Sequence, residues 1–154
     1  MALDEDFGSL TRNPLLAALD AETLRQVVRG GAPRTLRAGE ILFRRDDASE
    51  SGFLLRSGSI ALQPASEEAA PRVVFPPALI GEMALMAPTR RPVTATVREQ
   101  AVVLEISRAD FQRALAQSPT SAERVRRLVA SRLRGFSGAL EGLRGHLLDE
   151  QEES

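Results

Sequence analysis

The sequence predicts a mainly β domain flanked by helices. Between Pro33 and Ile106, the apolar bursts "EILF", "GFLLRSGSIAL", "RVVF", "TATV" and "AVVLEI" are separated by turn residues. That texture suits many short antiparallel strands in a sandwich or barrel better than alternating βαβ units. On both sides of this region, apolar residues recur three and four positions apart, the period of a helix. A chain of 154 residues with 43% apolar content is long enough for one domain with a real core.

Asn13 is placed to cap a first helix, with Pro14 at its first position and Leu15, Leu16 and Leu19 on its apolar face. Asp20 caps a second, in which Leu24, Val27 and Val28 face inward before Gly30 and Gly31 stop it. Within the β region, Ser57-Gly58 reads as a tight hairpin turn. Gln63 to Pro71, "QPASEEAAP", is a polar connector and is expected to be the most mobile loop. Val73 and Val74 are expected to line the barrel. After Ile106, Ser107 with Asp110 forms a capping arrangement ahead of Phe111 and Leu115, and Ser118-Pro119 breaks that helix.

A longer helix is expected from Thr120 or Ser121, its stripe running through Val125, Val129, Leu133, Phe136, Leu140, Leu143 and Leu147. Gly135, Gly138, Gly142 and Gly145 each cost up to about 1 kcal/mol there, so a break is expected unless something packs on it. The organisation is a helical segment over 1–32, a β unit over 33–106, helices over 107–147 and an acidic tail over 148–154.

Composition excludes several function classes. With no cysteine, disulfides, thiolate catalysis and cysteine-ligated zinc are out, and the single His146 leaves no triad or histidine metal cluster. No metal site is expected on these grounds; a resident cofactor or an enzyme activity is not part of the reading, an enzyme being a distant third possibility. The formal charge is -1, and all 20 basic residues are arginines, so nucleic-acid binding would need a local patch. "ERVRRLVASRLR", with Arg124, Arg126, Arg127, Arg132 and Arg134, is such a candidate but reads more simply as a solvated cationic helix face. No run of about 18 apolar residues occurs, and the start "MALDEDFGSL" is acidic rather than signal-like. A soluble cytoplasmic protein without a membrane partner is the expectation.

The stretch "IGEMALMAPTRRPVTATV", Ile80 to Val97, carries the chemistry. Gly81 permits close backbone approach, and Met83, Ala84 and Leu85 favour a short helix whose first free amides would face an anion. Glu82 is the odd component, since a carboxylate repels an anion unless hydroxyl donors, the helix dipole or a nearby arginine occupy it.

Taken in order, these segments resemble a cyclic nucleotide-binding domain, the regulatory module of catabolite activator protein, cAMP-dependent kinase regulatory subunits and cyclic-nucleotide-gated channels. The resemblance covers about Leu15 to Arg134. It rests on "LRAGEILFRRDDASESGFLLRSGSIAL" with its glycine turns at Gly39 and Gly58, on "IGEMALM" as the start of a phosphate-binding cassette, and on "TATV" with "AVVLEISRADFQRAL" as the closing strands and helix. It implies a double-stranded β-helix, a jelly-roll-like β-roll, of the stand-alone bacterial type. The implied ligand is cAMP or cGMP, and the implied site residues are Ile80, Gly81, Glu82, Met83, Ala84, Arg90, Arg91, Thr94 and Ala95. The family's matching glutamate accepts from the ribose 2'-hydroxyl, a role that would fall to Glu82.

The cation is the open point. The family places its arginine just before a small Ser/Thr-Ala pair, but here Val93 precedes Thr94-Ala95. Counted forward from Glu82, Arg91 falls at the family position, with Arg90 beside it. Either "RRPV" swings one of them back over the site, or the cation has been lost. Thr94 would contact the phosphate or a guanine amino group, or serve only as a β-branched strand residue.

Only 20 residues follow Arg134, too few for the helix-turn-helix of roughly 60 residues that DNA-binding relatives append. No DNA binding in cis is expected. Output must then pass to a protein partner or a second copy through the apolar stripe of the C-terminal helix. The alternative is a degenerate member that binds no ligand and acts as an interaction or dimerisation module.

Overall fold

Two long strands organise the protein, and every other strand of the main sheet pairs with one of them. The structure is a computed structural model that describes residues 8–64 and 68–132. The chain runs through α1 (Pro14–Ala17), α2 (Ala21–Gly30), β1 (Ala32–Leu36), β2 (Ile41–Phe43), β3 (Ala48–Ser49) and β4 (Ser51–Gln63). It continues through β5 (Arg72–Val74), β6 (Ala78–Ile80), α3 (Met83–Met86), β7 (Thr89–Arg90), β8 (Thr94–Ser107) and α4 (Arg108–Ala116). A last helix, α5, occupies residues 119–132.

β4 and β8 lie antiparallel along their whole length, from Ser51 opposite Ser107 to Gln63 opposite Thr94. Their first half is flanked by β6 on β4 and β1 on β8; their second half is flanked by β5 on β4 and β2 on β8. The two strands thus pass from one layer to the other, which makes the β-roll. The crossing is a run of register shifts between Leu55 and Ile60, centred on Gly58 with φ +83°. Ser57-Gly58 is therefore a bulge within one bent strand, not a hairpin turn, and "TATV" with "AVVLEI" is likewise one strand. Extra residues in one strand bend it and increase its twist, whereas a hairpin would have ended it.

Alternation along the long strands separates two cores. Phe53, Leu55, Ile60, Ile80, Val97 and Val103 point into the roll. Leu54, Leu104 and Ile106 point to the opposite face, where Leu15, Leu16, Leu24, Val27, Phe111 and Val125 of the helices cover them. The caps form as the sequence predicts: Asn13 Oδ1 accepts from the Leu15 and Leu16 amides, Asp20 from Thr23 and Ser107 from Asp110. α5 starts at Pro119, earlier than predicted, because the Ser118 hydroxyl accepts the Ser121 amide and Pro suits a first helical turn.

The centre of the Gln63–Pro71 connector lies outside the described residues, as do Leu133, Arg134, the stripe from Phe136 to Leu147, its glycines, His146 and the acidic tail. Among the described residues, no helix is long and apolar enough to cross a membrane.

Candidate functional site

The cassette leaves β6, turns at Gly81, forms α3 and returns through β7 into β8. Ile80 is 3% exposed on the inner face of the roll, and Gly81 turns the chain with φ +72°. The return is pinned on both sides. β7 pairs with β3, the Arg91 amide donates to the Asp47 carbonyl at 2.9 Å, and the Asp46 amide donates to the Arg91 carbonyl at 2.8 Å. Held this way, successive side chains alternate. Arg90 faces outward, its Nη1 donating to the Asp46 carbonyl at 2.9 Å.

Arg91 faces inward and is 5% exposed. Its guanidinium carbon lies 4.3 Å from the centroid of the Phe43 ring and 5.5 Å from that of Phe53, and Nη2 donates to the Ser51 carbonyl at 2.7 Å. Nη1 lies against the Cα of Gly81, where any Cβ would collide with it. Nε is buried without a hydrogen-bond partner among the described residues. Burial lowers the pKa of this guanidinium, while the charges of Glu105 and Asp47 oppose that shift. A desolvated cation over an aromatic face gains about 2 kcal/mol. An unpaired buried donor costs about 1–3 kcal/mol. Arg91 is therefore a buried cation with one N–H unpaired among the described residues, and the carboxylates of Glu105 and Asp47 offset its charge.

Of the two candidate arginines, Arg91 is the one buried inside the roll. Pro92 fixes its own φ and donates no N–H, and Val93 is half-buried against the inner core. Ala95 is fully buried in that core, opposite Phe43. The Thr94 hydroxyl accepts the Arg45 amide at 3.0 Å.

Glu82 turns to the helical face instead. Its Oε1 pairs with Arg132 Nη1 at 3.0 Å and its Oε2 accepts from Asn13 Nδ2 at 3.3 Å. One carboxylate thus joins the cap of α1 to the end of α5, and Arg132 is docked rather than part of a solvated face. Arg126 and Arg127 pair with Glu123, and Arg124 is exposed. Met83 is 53% exposed, while Ala84 is buried. The expected free amides of α3 are partly spent, because the Ala84 amide donates to Gly81 and the Leu85 amide to Glu82. Those of Glu82 and Met83 have no backbone acceptor among the described residues.

A cavity of about 370 Å³ lies beside this site, between residues 9–16 and the β5 and β6 strands. Of the predicted site residues it is lined by Ile80 alone. Among the described residues, no cluster of acidic or histidine side chains is placed to hold a metal ion.

Sequence reasoning missed Phe43, Phe53 and Ser51 as the surroundings of Arg91, and Asn13 as a partner of Glu82. Strand register brings Phe53 opposite Ile80 and Phe43 opposite Ala95. The sequence signal was two phenylalanines at burst edges in a chain with 4% aromatic content, but nothing in it gave the pairing.

The model of the family described as "Cyclic nucleotide-binding domain" matches residues 33–118. A crystal structure of the N-terminal domain of a transcriptional regulator from Streptomyces coelicolor superposes with a TM-score of 0.73 at 33% identity, covering 85% of this chain and 94% of that one. A cyclic nucleotide-binding-like protein from Brucella abortus gives 0.65 at 33% identity, over 73% of this chain and 98% of the other. A cyclic nucleotide-gated potassium channel of Mesorhizobium japonicum is 29% identical over 77% of this chain and 32% of its own length. The chain spans about a third of the length of the curated relatives it matches.

Proposed function

The chain belongs to the cyclic nucleotide-binding domain family, and from that membership we propose that it is a regulatory module which binds cAMP or cGMP in the roll and signals through its C-terminal helix. The observation that carries this reading is Arg91, a buried guanidinium with an unpaired Nε beside the Gly81 turn. A cyclic phosphate in the recess supplies the missing acceptor, and a charge-assisted hydrogen bond contributes about 1.5–3 kcal/mol. The Glu82 and Met83 amides stand on the same turn as further donors.

Transmission falls to Glu82. Its pair with Arg132 is part-exposed, with the two side chains 25% and 32% exposed, so it contributes at most about 1 kcal/mol. A ribose hydroxyl donating to Glu82 is a fair competitor for an interaction that weak. Once Glu82 turns toward ligand, α5 loses one of its ties to the cassette. A ligand shifts a helix only by the difference between its affinities for the two positions, and the exchange of partners at Glu82 supplies such a difference.

Thermal denaturation with cAMP, cGMP and cyclic dinucleotides tests the reading. A ligand at 100 times its Kd adds about 2.7 kcal/mol. Arg91→Gln is expected to weaken binding by one to two decades, while Arg90→Gln leaves it unchanged. A transition unmoved by every nucleotide overturns the sensor.

Specific contacts favour a second reading. The Ser51 carbonyl already takes Arg91, Asn13 and Arg132 already take Glu82, and Pro92 offers no amide. In that reading the roll is a closed scaffold, and the C-terminal helix binds a protein partner or a second copy. Light scattering that shows an oligomer, with no nucleotide response, selects it.

A further inference from the structure

The 370 Å³ cavity shares only Ile80 with the proposed nucleotide-site residues, and its walls have a distinct chemistry. Leu16 and Leu54 come from the helical core. Leu79 packs against that core, and Leu62 packs against the inner core of the roll. Two arginines complete the lining, Arg12 and Arg72, both exposed, and Arg72 sits directly opposite Leu62 in the β4–β5 ladder. Among the described residues, neither has a carboxylate partner, and no acidic side chain lines the cavity.

We propose that this cavity is a second binding site, for a medium-chain aliphatic carboxylate whose head lies on Arg12 and Arg72 and whose chain lies on the leucines. Leucine walls without aromatic faces select an aliphatic body, and guanidinium groups select an oxyanion that can take paired hydrogen bonds. Size sets the chain length. At roughly 30 Å³ per non-hydrogen atom, the share of one water molecule in the liquid, about a dozen atoms fill the space, which is a ten-carbon acid. The volume sits at the small end of ligand sites, roughly 300–1,000 Å³.

The site also touches the cassette. Asn13 lines the cavity and donates to Glu82, and Ile80 lines it one residue before Gly81. An acid bound there presses on the same Asn13–Glu82–Arg132 junction from the other side.

Isothermal titration of the full chain with decanoate, below its micelle concentration, tests the site, with decanol as the uncharged control. The expected result is saturable binding of one decanoate per chain, with decanol weaker by about tenfold or more. Replacing both exposed arginines, Arg12→Gln with Arg72→Gln, is expected to weaken decanoate by a similar factor without disturbing the fold. Arg91→Gln is expected to leave it unchanged, which separates this site from the nucleotide recess. Equal binding of decanol, indifference to the double replacement, or no saturable binding in the millimolar range each overturns the proposal.

Discussion

The guanidinium of Arg91 occupies the space that a Cβ at position 81 would fill. Gly81 also holds φ +72°, a conformation that costs an L side chain about 1–2 kcal/mol. Gly81→Ala is therefore expected to lower stability by more than that strain alone, and to dislodge Arg91 from Phe43. A double-mutant cycle separates the two effects. In an Arg91→Ala background the Gly81→Ala cost is expected to fall to the strain alone. Equal costs in both backgrounds, read by urea denaturation, would show that the close approach carries no energy.

Gly58 and Gly39 share the left-handed conformation and differ in their surroundings. A Cβ at Gly58 would strike the Gln100 carbonyl and lie 2.7 Å from the Ala101 Cα, whereas one at Gly39 meets nothing within 4 Å. Gly39→Ala is expected to cost about 1–2 kcal/mol. Gly58→Ala is expected to cost clearly more, because backbone cannot step aside as a flexible side chain does. Similar melting temperatures for the two variants would contradict this account of the bend in β4.

That bend marks where the sequence stopped being legible. Helix caps at Asn13, Asp20 and Ser107 act within three residues, so local chemistry was enough to find them. Gly58 gives the same local signal in a hairpin and in a bulge, and only pairing with β8, some 40 residues away, decides between them. The site divides in the same way. Arg91 could be found by its spacing from Glu82, but its inward aim depends on Asp46 and Asp47 holding its backbone. Glu82 was legible as a carboxylate needing a partner, whereas Asn13 and Arg132 were 69 and 50 residues away and unreadable as its partners.

Asp20 ties three segments together. It accepts the Thr23 amide at 2.8 Å and the Ser118 hydroxyl at 2.7 Å, while its own amide donates to Ser121 at 2.9 Å. The Ser118 hydroxyl, then the Thr23 amide, hold its carboxyl well below the usual carboxylate range. A depressed native pKa means that the folded state binds the proton less readily than the unfolded chain. The contribution is present above the unfolded value of about 3.9 and is lost as pH falls below it. Asp20→Asn keeps a capping side chain but cannot titrate. Its stability is expected to fall less steeply than wild type below about pH 4, as read by denaturation midpoints from pH 6 downward. Parallel profiles would remove Asp20 from the acid response.

Arg132 and ligand are rivals for Glu82 if the C-terminal helix reports binding. Arg132→Ala removes a pair worth at most about 1 kcal/mol, so stability is expected to change little while nucleotide affinity rises, by up to about fivefold. Glu82→Gln is expected to do the opposite, since it loses the charge that a ribose hydroxyl would meet. Thermodynamic linkage requires the effect to run both ways: a nucleotide that gains from the absence of Arg132 must, when bound to wild type, loosen α5. Hydrogen exchange over residues 119–132 reads that loosening directly. Faster exchange with ligand in wild type, and none of that response in Arg132→Ala, is the expected pair of results. Unchanged affinity in Arg132→Ala would place the transmission route elsewhere than through this carboxylate.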